Sequence, residues 1–171
     1  MDQLIEQAKK IMLDVRVHGH TEFLPCTIGT RGHLHHVSSD KRRLIYVVPG
    51  AIQLIEQTYV SRLYRVLKAD PECPMFFGNN VIPRLRLLMM KTYPKGHVAL
   101  RTDFSAFDTT VHTMTLEYAF EIFREMVDIT TYDGVKLYPA QQKRWTRVFE
   151  FVKEYFVNTP IMTPQGRLLW Y

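Results

Sequence analysis

The sequence predicts a helix-rich α/β (α+β) fold. Long stretches at 2–16, 51–68 and 113–127, and another opening at Pro139, repeat apolar residues at the helical period. Short apolar runs between them stop at Pro or Gly, as strands do at turns. Apolar residues make up 46 % of the 171, enough for the core of one ordinary domain.

The first helix, 2–16, sets Leu4, Ile5, Ala8, Ile11, Met12 and Val15 on one face. Residues 17–40 carry Gly, Pro, Ser and five histidines without periodicity, and are expected to be loop. LIYVV at 44–48, stopped by Pro49-Gly50, reads as a strand and turn. The helix over 51–68 has a broad apolar face of Ile52, Leu54, Ile55, Tyr59, Leu63, Val66 and Leu67. Residues 70–80 are turn-rich, 83–91 suit a short helix, TYPKG at 92–96 is a loop, and VALRTDF at 98–104 reads as a strand. The helix over 113–127 has Leu116, Phe120, Phe123 and Val127 at core spacing, followed by a loop over Asp128–Asp133. Pro139 suits the first turn of the next helix, whose predicted core residues are Trp145, Val148, Phe149, Val152 and Phe156. NTPIMTPQGRLLWY reads as a hairpin about Pro164-Gln165-Gly166. There are no repeats or linkers, so the chain reads as one unit. It closes in what reads as mid-strand, which predicts a longer parent protein.

The net charge is +5 and the pI about 9.2, which favours a polyanionic partner without naming one. No apolar run approaches the roughly 20 residues that span a bilayer, so no membrane partner is expected. The charged N-terminus does not read as a signal peptide. Cys26 and Cys73 lack CxxC spacing and give neither a disulfide framework nor a zinc site, which predicts a reducing, intracellular setting. His18, His20, His33, His35 and His36 lack regular spacing on ordered elements, so they read as exposed or phosphate-contacting. The aromatics mostly fall at core spacing; Phe76-Phe77, in a loop, is the pair that leaves base stacking open.

Chemistry concentrates in two places. Arg31, Lys41, Arg42 and Arg43 gather with Asp40 as the one acid among them. In Arg101-Thr-Asp103-Phe-Ser-Ala-Phe-Asp108 two aspartates stand five apart with Ser105 and Ala106 between. On a straight strand that spacing sends them to opposite faces. They converge only if the chain turns from strand to helix after Asp103, which the small residues allow. Strand ends are where open α/β sheets bind ligands. Phosphoryl transfer needs carboxylates for Mg²⁺ and fixed cations for a triphosphate. Asp103 offers the first, as metal ligand, and Arg31, Lys41 and Arg43 the second. By spacing alone, a surface pair of acids and a solvated basic loop remain open readings.

In combination these segments resemble the viral RNA-dependent RNA polymerases. Asp103–Asp108 resembles the family's motif A, an apolar strand leading into D-x4-D and then a helix. Lys41, Arg43 and Ile45, with Pro49 after them, resemble the K-x-R-x-[IV] core of fingertip motif F, and Arg31-Gly32-His33 its basic approach. CPMFFGNN (Cys73–Asn80) and NTPIMTPQGRLLW (Asn158–Trp170), with the DFSAFD core, are similar to the partitivirus-like group of double-stranded RNA viruses. The likeness covers roughly residues 25–171.

The resemblance implies the fingers and part of the palm of a right-hand polymerase, with fingers over 1–97 and the start of the palm over 98–171. It implies catalytic roles for Asp103 and Asp108. Asp103 would bind Mg²⁺, with Mn²⁺ as substitute; Asp108 would recognise the ribose 2′-hydroxyl; Arg31, Lys41 and Arg43 would contact the triphosphate. RNA template and product and nucleoside triphosphates are the implied partners, with a viral capsid or a complementing polymerase chain beyond them. The implied setting is the host cytoplasm and virus particles. The Ser-Gly of motif B and the Gly-Asp-Asp of motif C are absent, so this chain alone is expected to be inactive. Two other readings stand beside this one. A small basic RNA-binding module would explain the charge, but not an acidic pair that repels a phosphate backbone. One half of a split polymerase would be completed by a second chain.

Overall fold

The computed structural model describes residues 2–32, 42–70, 73, 86, 90 and 111–170. Its elements are α1 (Asp2–His18), β1 (Cys26–Gly32), β2 (Arg42–Val47), α2 (Gly50–Ala69), α3 (Thr113–Met126), β3 (Thr131–Tyr132), β4 (Val135–Lys136), α4 (Pro139–Val157), β5 (Pro160–Met162) and β6 (Leu168–Trp170). The helix-rich α/β expectation holds in this coarse form. The chain divides into two compact units, Met1–Tyr59 with Thr113–Tyr171, and Val60–His112. In the second, α2 ends where the Asp70 amide donates to the Val66 carbonyl at 3.1 Å, and Leu63 and Cys73 are buried.

The first unit joins a four-stranded sheet, in the order β2-β1-β5-β6, to four helices that share one core. α1 packs on α4, and α3 packs on α4. Ala8, Ile11 and Val15 of α1 meet Ala51, Ile52, Ile55 and Tyr59 of α2 and Val148, Phe149, Phe151, Val152 and Tyr155 of α4. Burying each large side chain contributes about 1.5–3 kcal/mol.

Local chemistry sets the helix ends. Gly19, at φ +87°, turns the chain after α1, and its amide donates to the Val15 carbonyl at 2.8 Å. Arg147 of α4 then donates through Nη1 to the Arg16 and Val17 carbonyls, both at 2.9 Å, placing a cation at the negative end of α1. Pro139 begins α4, where its missing amide is no loss, and Gln141 Oε1 accepts from the Tyr138 amide at 2.9 Å.

Several expectations need correction. Residues 26–32 were expected as loop but form β1, an interior strand bonded antiparallel to β2 and parallel to β5. Pairing on both sides outweighs the weak strand propensity of Thr-Ile-Gly-Thr-Arg-Gly. Ile5, Leu54 and Val66, predicted on core faces, are exposed. On α4 the buried face turns toward Phe151 and Tyr155, leaving Phe156 exposed apart from its edge contact with Phe120 at 5.5 Å. The loop predicted over Asp128–Asp133 contains strand β3 of the small β3–β4 hairpin. Asp133 (φ 49°) and Gly134 (φ 79°) make its two-residue turn, with both central residues left-handed as a type I′ turn requires. The predicted hairpin about Pro164-Gln165-Gly166 is present as β5–β6.

Tyr155 connects α4 to the sheet. Its hydroxyl donates to the Leu24 carbonyl at 2.7 Å, and its ring meets Phe23 edge-on at 5.4 Å. Tyr155→Phe leaves that carbonyl without its donor and is expected to cost about 1–3 kcal/mol in urea unfolding. An unchanged midpoint and slope would show that the bond adds nothing.

Asp128 organises the approach to β3. Its carboxylate accepts from the Thr130 hydroxyl (2.6 Å) and amide (2.7 Å) and from the Thr131 hydroxyl (2.6 Å), which holds its pKa down to about 2. A lowered carboxylate pKa adds stability that is present above the unfolded value near 3.8 and is lost as pH falls through about 2. An NMR titration should therefore place the Asp128 midpoint near 2, with exchange of the Thr130 amide accelerating over the same range. A midpoint near 3.8 would contradict the assigned hydrogen bonds.

Candidate functional site

The candidate site grows from the β1–β2 ribbon. Pro49 ends β2 and starts α2 by accepting from the Ile52 amide at 3.0 Å, which fixes where the strand leaves the core. The antiparallel register runs from Thr27↔Val47 to Gly32↔Arg42. At its far end Arg31 and Arg43 are direct cross-strand partners. Directly opposite positions in an antiparallel register belong to the same face of a sheet.

The near end of the ribbon is tied to the core. Cys26 pairs with Ile161, and Thr27 with Met162, in the parallel β1–β5 contact. Arg31 is four positions beyond Thr27, so the Arg31↔Arg43 pairing lies about 13 Å along the strand from that anchor. β5 turns into β6 through a loop in which Gly166 has φ +76°, its amide donates to the Thr163 carbonyl at 2.9 Å, and the Arg167 amide donates to Thr163 Oγ1 at 3.0 Å. The sheet thus joins two pairs of strands far apart in sequence, β1 with β2 and β5 with β6.

Beneath the anchor is a small polar cluster. The Tyr155 proton goes to the Leu24 carbonyl, so the Cys26 thiol, 3.4 Å away, donates to the phenol oxygen. Burial pushes the Tyr155 phenol well above its ordinary value, and the Cys26 contact adds to this. Burial also raises the Cys26 thiol, partly offset by its bond to Tyr155 and reinforced by the Glu56 charge. Half-buried Glu56 is itself raised by desolvation. A neutral thiol and phenol suit a structural anchor better than a nucleophile.

Of the residues singled out from sequence, Arg31 and Arg43 are brought together at the register level. Lys41, Asp103 and Asp108 lie outside the described residues, as do His33, His35, His36, Phe76 and Phe77. Among the described residues no three or more His, Cys, Asp or Glu gather as a metal site, and no helix is long and apolar enough to cross a membrane. Sequence reasoning missed that Arg31 stands on a strand. The signal was Cys26-Thr27-Ile28, a β-favouring start that the following glycines obscure.

Comparison with known proteins gives the family. The profile of the viral RNA-dependent RNA polymerase family matches residues 1–170. A protein named RNA-directed RNA polymerase, from Cryptosporidium parvum virus 1 (strain KSU-1), is 31 % identical over 147 residues, covering 82 % of this chain and 25 % of that relative. The chain therefore spans about a quarter of the length of the curated relative it matches. No solved structure matches it. With a family match across almost every residue and a relative above 30 % identity, the chain belongs to the viral RNA-dependent RNA polymerases.

Proposed function

We propose that this chain is the part of an RNA-directed RNA polymerase that grips the incoming nucleoside triphosphate and carries the first catalytic carboxylate. The observation that supports this most is the Arg31↔Arg43 pairing at the end of the β1–β2 ribbon. Two cationic positions held opposite each other repel, and a triphosphate relieves that repulsion. Lys41 precedes β2 directly and adds a third cation to the same segment. In this reading residues 1–97 belong to the fingers and 98–171 begin the palm.

The reaction is attack of an RNA 3′-hydroxyl on the α-phosphate of a nucleoside triphosphate, with pyrophosphate leaving. Asp103 and Asp108 are hard oxygen donors, the chemistry Mg²⁺ and Mn²⁺ prefer. When bound, the ion offsets charge on the reacting phosphates and lowers the pKa of the attacking hydroxyl. Asp103 would hold the ion, and Arg31, Lys41 and Arg43 would orient the triphosphate and offset its remaining charge. Asp108 accepts a hydrogen bond from the ribose 2′-hydroxyl, or positions a neighbour that does, and so selects ribonucleotides. RNA template and product run beside this site. A second carboxylate-bearing strand comes from outside this chain, from a longer polypeptide or a complementing chain. Host cytoplasm and virus particles, with their capsid, are the setting that goes with this role.

The test is an incorporation assay on a polymerase of family length containing this sequence. Asp103→Ala should abolish template-dependent synthesis. Arg43→Glu should raise the KM for nucleoside triphosphates by roughly tenfold or more, because a charge-assisted hydrogen bond to phosphate contributes at least about 1.4 kcal/mol. An Arg43→Glu enzyme with parental KM and kcat would remove the triphosphate role.

Sugar choice provides a separate check. Asp108→Ala should narrow the gap between ribo- and deoxynucleotide kcat/KM while leaving template-directed base choice intact. Equal discrimination in variant and parent would take Asp108 out of the 2′-hydroxyl contact.

A further inference from the structure

Helix α3 carries two apolar stripes, and the core uses one. Leu116, Phe120, Phe123 and Val127 turn inward, with the Phe120 ring 6.3 Å from Phe149 of α4. The second stripe is Met114, Tyr118, Ile122 and Met126, which stand 55, 64, 62 and 49 % exposed. Residues four apart on a helix lie one above another, so these form a continuous ladder. Thr115 and Ala119 lie beside it and leave that flank uncharged.

The other flank is acidic. Glu117, Glu121 and Glu125 repeat at the same spacing. Lys153 of α4 meets Glu121 at 2.5 Å, and Arg124 meets Glu150 at 2.8 Å, both on the side toward α4. Glu117, whose charge also acts on Lys153, and Glu125 are exposed on this flank.

A surface helix of a globular domain normally shows one apolar face, and a second one marks a second burial. The charge beside the ladder decides what fits. An anionic lipid surface or an RNA backbone would be repelled by Glu117 and Glu125. A helix that lays its own apolar ladder on this one, with Lys or Arg along the matching edge, satisfies both features. The matched relative extends over about four times the aligned length, so polypeptide to supply such a helix exists in the family. From this face we infer that α3 is the docking site for a basic amphipathic helix supplied by the rest of the polymerase polypeptide. The inference rests on the polymerase reading only in requiring that longer chain.

Cysteine accessibility tests it. Tyr118→Cys and Ile122→Cys are made in the 171-residue chain and in the family-length polymerase, and their rates of maleimide labelling are compared. Native Cys26 and Cys73 are buried and label slowly. Labelling at both positions should fall at least about tenfold in the long chain, as expected where a surface is reached only by local opening. Adding Glu117→Lys and Glu125→Lys to the long chain should restore fast labelling, since like charges then face each other. Equal rates in the short and long chains would overturn the proposal. So would protection in the short chain that grows with its own concentration, because the occupant would then be a second copy. RNA synthesis by the same long protein keeps the two readings apart. Synthesis with Tyr118→Cys unprotected defeats the docking alone, and protection without synthesis defeats the catalytic reading alone.

Discussion

The bond from the Tyr155 hydroxyl to the Leu24 carbonyl, with the Cys26 thiol behind it, is where the helical core takes hold of the sheet. β1 begins two residues after Leu24 and pairs with β2 on one side and β5 on the other, while β2 also meets the core through Val48, next to the start of α2. Phe23 packs edge-on against both Phe151 and Tyr155, so apolar contact and hydrogen bonding act on one short stretch of chain. Burial keeps the phenol and thiol neutral at ordinary pH, so the anchor carries no charge that must be solvated. From this point β1 runs outward, and the positions of Arg31 and Arg43 follow from its length and register.

This arrangement separates scaffold from chemistry. The anchored end of the sheet is apolar and paired on both sides of β1, while the far end is a two-stranded ribbon with cationic positions opposite each other. The β5–β6 hairpin joins the same sheet, so the segment resembling the approach to motif B is physically tied to the one resembling motif F. Family membership over residues 1–170 agrees with the polymerase resemblance read from those segments.

What could be read from the sequence depended on how far each element makes its own case. α1, α2, α3 and α4 were legible because each repeats apolar residues over three turns or more. β1 was not, because its two glycines and paired threonines become a strand only when β2 and β5 flank it. The burial of Tyr155 in place of Phe156 was hidden for a related reason. Both fit the helical period, and the choice depends on a carbonyl more than a hundred residues away. The β3–β4 hairpin did announce itself through Asp133-Gly134, but with two residues per strand the flanking alternation is too short to read. For the site, the basic segment and the D-x4-D spacing were visible, whereas the register that sets Arg31 opposite Arg43 was not.

Backbone hydrogen exchange in the parent chain and in Tyr155→Phe, followed amide by amide over β1, β2, β5 and β6, addresses the anchor directly. If Tyr155 ties the sheet to the core, the strand amides are protected together in the parent. Loss of the hydroxyl should then speed exchange in β1 and β5 as one cooperative unit, with α1 and the first turns of α4 less affected. Exchange in β5–β6 that proceeds independently of β1, or a Tyr155→Phe chain whose strand protection matches the parent, would contradict the account.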